Sequence, residues 1–141
     1  MVATVPRRFA PAYHPAHAAL SGGALTLFIG ALLSDIAYAR TYEIQWNNFA
    51  SWLIASGLVV LALSLVCALF GLAASRRTRA SVLHFVLLLA TWVVGFFNAL
   101  MHARDAWASM PGGLVLSVVV VVLAVIAAWL GFSSPRIGEV K

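Results

Sequence analysis

Four ionisable side chains within long apolar stretches of the sequence are spaced as two matching pairs. His17 and Asp35 lie 18 residues apart in the first stretch, and His84 and His102 lie 18 residues apart in the third. Eighteen residues make about five full turns of an α-helix, so the members of each pair share one face of their helix. If both helices enter a membrane from the same side, His17 lies at the depth of His84, and Asp35 at the depth of His102. Polar groups at membrane depth are costly, so these four residues are candidate functional groups.

The inner layer of candidate residues contains His17, His84 and His14. Neutral imidazoles are common axial ligands of haem iron, and facing helices of a bundle can supply one each. We therefore predict a haem b site at this layer, with its iron held by His17 and His84, and no other metal centre. Two alternatives stay open: a quinone or another ligand binds there, or the histidines only cap helix starts near lipid phosphates.

The outer layer contains Asp35, Asn98 and His102, with Arg104 at its rim. Asn98 precedes His102 by four residues and so lies on nearly the same face of the helix. Asp35 needs a proton, a cation or a hydrogen-bond donor at this depth, and His102, Arg40 or Arg104 can each supply one. We predict a site for a quinone head group or a proton-transfer step. The alternatives are a buried pair that locks two helices together, and a metal site, which has too few ligands to be favoured.

The elements that must position these residues are membrane-spanning helices. Of the 141 residues, 63% are hydrophobic and 9% are charged, whereas about a quarter of the residues in soluble domains are charged. A membrane span needs about 20 apolar residues. We predict an all-α, integral membrane four-helix bundle that forms one domain over residues 1–141. The approximate spans are residues 18–39, 49–74, 81–101 and 113–132. Little chain is left for a separate catalytic domain, and no catalytic residues are predicted.

The basic residues are distributed unequally about the predicted spans. Seven of the nine lysines and arginines flank one side, and only Arg40 and Arg104 flank the other. Because cytoplasmic loops carry the excess of basic residues, we predict that both termini and the loop around residues 76–79 are cytoplasmic. The loops at residues 40–48 and 102–112 then face the periplasm of a bacterial inner membrane. This asymmetry accounts for the net charge of +5 without nucleic acid as a partner.

Several short motifs occur in an order that suggests a family. They are His14-Pro15, Ser34-Asp35, the segment Asn48–Gly57, the stretch from Asn98 to Arg104-Asp105, and Trp129-Leu130-Gly131. In this order the sequence resembles the bacterial membrane family called domain of unknown function 2231. The resemblance covers nearly the whole chain. It implies a four-helix membrane domain that occurs beside or fused to redox modules, such as Rieske iron–sulfur domains and pyrroloquinoline-quinone dehydrogenases.

The layers and the resemblance together lead to a functional prediction. We expect a small, multi-pass inner-membrane subunit that anchors a periplasmic redox partner, a dehydrogenase or a Rieske-type protein. It would contribute to electron transfer to quinone through a haem b or ubiquinone site, as part of an oxidoreductase complex. One rival is a cofactor-free structural or assembly subunit, whose polar residues pair only with each other. A small channel or transporter is the least favoured alternative, because the mid-membrane sequence offers few polar groups to line a pore.

Overall fold

Four long α-helices form most of the computed structural model, which describes residues 9–10, 15–74, 78–133 and 136–137. In chain order the elements are β1 (Phe9–Ala10), α1 (Pro15–Thr41), α2 (Ile44–Ala74), α3 (Arg79–His102), α4 (Ala106–Ser109), α5 (Gly112–Ser133) and β2 (Arg136–Ile137). The two strands have two residues each and pair antiparallel. Helices α1, α2, α3 and α5 are each long and apolar enough to cross a membrane. The predicted all-α membrane fold is confirmed.

The helix ends follow from local sequence. α1 begins at Pro15, where the missing N–H of proline leaves no intrahelical bond unmade. α3 begins after Thr78, whose side-chain hydroxyl accepts a hydrogen bond from the Ser81 amide at 3.1 Å. α1 ends before Tyr42, whose φ of 56° lies in the left-handed region. This conformation reverses the chain sharply, so α2 starts within three residues of the end of α1.

The four long helices occupy the corners of a square in cross-section. α1 packs against α2 and α5, and α3 packs against the same two helices. α1 and α3 are therefore diagonal to each other and run in the same direction, with α2 and α5 antiparallel to them. Most large side chains exposed on these helices are Leu, Val, Ile, Phe or Trp, as expected for a surface that faces lipid.

The two halves of the bundle repeat the same burial pattern. The buried residues of α3 (His84, Leu88, Thr91, Gly95, Asn98 and His102) each lie 67 positions after a buried residue of α1 (His17, Ser21, Ala24, Phe28, Ala31 and Asp35). The hairpins α1–α2 and α3–α5 are thus related by an approximate two-fold axis along the membrane normal, as in parallel repeats of membrane proteins. The repeat lies in the burial pattern and is hidden in the residue types.

An apolar layer fills the middle of the bundle between two polar layers. Its buried members include Phe28, Ile54, Leu61, Leu88 and Val120. The ring of Phe28 lies near the bundle axis, because the absence of a side chain at two glycines leaves it space. A Cβ added at Gly57 would lie 2.7 Å from Phe28 Cε1, and one added at Gly95 would lie 3.8 Å from Phe28 Cζ.

Candidate functional site: two buried polar clusters

The inner cluster is centred on a direct contact between two histidines. His17 on α1 and His84 on α3 meet across the bundle, with their Nε2 atoms 3.0 Å apart. Their rings are arranged edge to face, with centroids 5.3 Å apart, and both side chains are buried. The structure brings together the pair that the 18-residue spacing selected, although α1 and α3 are diagonal helices. His14 lies outside the described residues.

The second ring nitrogen of each histidine contacts a neighbouring helix. His84 Nδ1 donates to the carbonyl oxygen of Ala127 on α5 at 2.9 Å. His17 Nδ1 lies 3.1 Å from both the carbonyl oxygen and the hydroxyl oxygen of Ser64 on α2. The hydroxyls of Ser21 and Ser64 are 2.7 Å apart. The inner cluster therefore draws one or more residues from every long helix.

Glycine makes room for the ring of His84. A Cβ at Gly131 on α5 would lie 2.8 Å from His84 Cε1, closer than carbon atoms approach without displacement. A cavity of about 10 Å³, lined in part by His17, Ser21, Gly131 and Phe132, adjoins the two rings. This volume is about that of one water-sized sphere.

This geometry does not fit a haem held between His17 and His84. Metal–imidazole bonds are about 2 Å long, so two axial nitrogens on opposite faces of an iron lie about 4 Å apart. The two Nε2 atoms are 3.0 Å apart and face each other directly. The adjoining cavity of about 10 Å³ is also far smaller than a porphyrin. Among the described residues, no group of three or more His, Cys, Asp or Glu side chains is placed to hold a metal ion.

The outer cluster is centred on Asp35, which is fully buried. His102 Nε2 lies 2.8 Å from one carboxyl oxygen of Asp35, and the Ser117 hydroxyl donates to the other at 2.5 Å. Asn98 donates from its side-chain nitrogen to the Ser117 hydroxyl at 2.8 Å. His102 Nδ1 donates to the backbone carbonyl of Asn98 at 3.0 Å. The predicted acid–histidine pair is therefore present, and α5 contributes a serine to it.

The contact between Asp35 and His102 contains one proton. Because His102 Nδ1 already donates to a carbonyl, its Nε2 either donates to a carboxylate or accepts from a carboxylic acid. The pair has no net charge in either form, which limits the cost of placing it at membrane depth. The side-chain oxygen of Asn98 is buried without a hydrogen-bond partner among the described residues. It can accept a hydrogen bond from a donor that enters the cluster.

The structure does not bring Arg104 to the outer cluster. Its guanidinium lies at the surface and contacts the sulfur of Met101 at 3.9 Å. Arg40 is also exposed, at the end of α1. The partners of Asp35 are His102 and Ser117 instead. Long cationic side chains extend toward water and keep their charge hydrated, so neither arginine is drawn into the core.

Sequence reasoning missed the contributions of α2 and α5. Ser64 and Ser117 are single small polar residues in apolar helices, and only their contacts identify them. The two glycines had a usable signal: Gly113 and Gly131 are 18 residues apart, as are the two histidines of α3. A Cβ at Gly113 would lie 2.7 Å from His102 Cε1. Each histidine of α3 therefore packs on a glycine of the antiparallel helix α5.

The two clusters are separated along the bundle by about 27 Å, the rise of 18 helical residues. The polar groups between them are bonded locally. The Thr91 hydroxyl donates to the carbonyl of Leu87 one turn earlier, and the indole N–H of Trp92 donates to the carbonyl of Leu58 at 3.2 Å. Within the described helices, these contacts and the apolar middle layer leave the clusters as two separate sites.

The fold and its polar core define a class: a multi-pass membrane protein with four candidate spans and buried polar clusters. Residues 13–134 match the model of a family described as "Predicted membrane protein (DUF2231)". The chain belongs to this family, in agreement with the resemblance carried by its motifs. No match was found to a curated protein or to a solved structure.

Proposed function

We propose that this protein is an integral membrane subunit that anchors a redox partner protein at the bacterial inner membrane. The observation that supports this best is that the polar side chains of each layer bond to one another across the bundle. Such pairing was expected of a structural or assembly subunit. It holds α1 to α3 and leaves an apolar exterior for lipid and for helices of a partner.

The outer end of the bundle offers a surface suited to a docked protein. The rings of Tyr42 and Trp107 are stacked with centroids 5.5 Å apart and planes inclined by 14°. Both side chains are exposed. Aromatic residues at membrane interfaces contact headgroups on one side and present a polar edge to water or to a protein on the other. Under the proposed orientation, this surface faces the periplasm and the redox partner.

The outer cluster supports a second candidate function, a quinone or proton-transfer site. The unpaired side-chain oxygen of Asn98 can accept a hydrogen bond from a quinol hydroxyl. The Asp35–His102 pair can exchange a proton with the head group while the partner protein transfers the electrons. Haem b is not proposed, because His17 and His84 are in direct contact. A channel is less well supported, because Phe28 and the rest of the apolar middle layer fill the path between the clusters.

Anchoring can be tested in native membranes. A tagged full-length chain, expressed at its normal level and purified in mild detergent, should co-purify with a protein that carries a redox cofactor. Deletion of the chain should move that partner from the membrane fraction to the soluble fraction. The proposal is wrong if cross-linked complexes contain no redox protein and if deletion leaves quinone reduction by the membranes unchanged.

The quinone site can be tested in the purified assembly. The double variant Asp35→Asn/His102→Ala should lower quinone reduction at least ten-fold while the partner stays bound. Thr26→Ala is a matched control, because the Thr26 hydroxyl is exposed and bonds only to the Gly22 carbonyl of its own helix. An unchanged rate in an intact assembly would show that the outer cluster is purely structural.

A further inference from the structure

His17 Nδ1 has two different partners at the same distance. The hydroxyl of Ser64 can donate to a lone pair on Nδ1, and the carbonyl of Ser64 can accept from a proton on Nδ1; each oxygen is 3.1 Å away. Only one of these bonds can exist at a time, because a neutral ring nitrogen either has a proton or has a lone pair. The site therefore offers a bond for each protonation state of the ring.

With both rings neutral, the protons have one consistent arrangement. His84 donates from Nδ1 to Ala127, so its Nε2 accepts from His17 Nε2–H. His17 Nδ1 then accepts from the Ser64 hydroxyl, which in turn accepts from the Ser21 hydroxyl. The donors and acceptors form a single directed chain from α1 through α2 and α1 to α3 and α5.

We propose that the His17–His84 pair is a binding site for a single excess proton. An incoming proton forms a bond to the lone pair of His17 Nδ1, and the pair acquires one positive charge. The new Nδ1–H donates to the Ser64 carbonyl, and the Ser64 hydroxyl rotates away. The N–H group at His17 Nε2 continues to donate to His84 Nε2. Both rings now donate from Nδ1 to backbone carbonyls, so the charge can reside on either ring by transfer between the two Nε2 atoms.

The geometry limits the pair to one proton. A second proton would place two N–H groups and two like charges against each other across 3.0 Å, with strong repulsion in a medium of low dielectric constant. The described parts of α2 and α5 contain no acidic or basic side chain. Cys67 on α2 and Arg79 on α3 are the nearest other titratable or charged groups of the packed helices in sequence, while Asp35 and His102 lie about 27 Å away.

The two serines supply a route for the proton. Ser64 can pass its hydroxyl proton to His17 Nδ1 and take one from Ser21, over the contacts of 3.1 and 2.7 Å. Ser21 and both histidines line the cavity of about 10 Å³, which opens this chain toward the end of the bundle where α1 begins. This inference does not depend on the proposed anchoring function.

The experiment is a pH titration of the ¹⁵N-histidine-labelled full chain in lipid nanodiscs, read by NMR. Ring-nitrogen shifts distinguish the two neutral tautomers from the cation, and His17→Asn and His84→Asn variants assign the signals. At high pH, His17 should be protonated at Nε2 and His84 at Nδ1. On acidification, the two rings together should take up one proton, and both should be protonated at Nδ1. Uptake of two protons, uptake of none before unfolding, or unchanged tautomers would overturn the proposal.

A substitution at Ser64 separates this proposal from simple packing. Ser64→Ala removes the hydroxyl that stabilises the neutral pair but keeps the carbonyl that stabilises the charged pair. The proton affinity of the pair should therefore rise about five-fold, the usual effect of one neutral hydrogen bond. The exposed control Thr26→Ala should leave it unchanged. A lower or unaltered affinity in folded Ser64→Ala would contradict the proposed switch of partners at His17 Nδ1.

Discussion

Replacing Gly131 by alanine should destabilise the bundle through the ring of His84. The added Cβ would lie 2.8 Å from His84 Cε1, and ordinary contact begins at 3.4 Å. The ring cannot shift by about 0.6 Å without weakening a bond, because His17 Nε2 and the Ala127 carbonyl hold it at 3.0 and 2.9 Å. Overpacking of this kind costs about 1–3 kcal/mol. Alanine in a helix recovers about 0.5–1 kcal/mol relative to glycine, which leaves a net loss of about 1–2 kcal/mol.

The assay is reversible unfolding in mixed detergent micelles, followed by circular dichroism. Gly71→Ala is the matched control, because Gly71 is also helical and its added Cβ would meet no atom within 4 Å. That variant should be as stable as the wild type or more stable, by up to about 1 kcal/mol. The reasoning is refuted if Gly131→Ala unfolds at the same detergent fraction as Gly71→Ala or at a higher one.

Two further substitutions test the outer cluster and the middle layer by the same unfolding measurement. Asp35→Ala should cost about 3–5 kcal/mol, because it leaves His102 and Ser117 buried without their shared partner; a loss below about 1 kcal/mol would show that the pair contributes little to the bundle. Trp92→Phe should cost about 0.5–1.5 kcal/mol, because it removes only the hydrogen bond to the Leu58 carbonyl while keeping an aromatic ring. A larger loss would mean that the indole is needed for packing.

The sequence predicted the parts of this structure that depend on one helix at a time. Hydrophobicity located the four spans, and Pro15 marked the start of α1. The 18-residue spacing placed His17 with His84 and Asp35 with His102, because helical periodicity fixes both the face and the depth of a residue. The helices extend beyond the expected spans at most ends, since polar and aromatic end residues continue the helix after the apolar stretch has finished.

Relations between helices were less accessible. Nothing in the spacing indicates that α1 and α3 are diagonal, so the contributions of Ser64 and Ser117 from the intervening helices were not foreseen. The expected role of Arg104 failed for a related reason: proximity in sequence to His102 does not bring a long charged side chain into the core. The haem interpretation relied on two facing histidines, and the spacing could not show that their nitrogens are close enough to bond directly.

The diagonal contacts between α1 and α3 restrict how this domain can move. Both pairs, His17–His84 and Asp35–His102, join residues 67 positions apart. Displacement of α1 along its axis by one turn, about 5.4 Å, would separate both pairs together, and no neighbouring polar group in the apolar layer would replace them. Piston-like sliding of these helices is therefore strongly opposed. A protein mounted on this domain is held at a constant height above the bilayer.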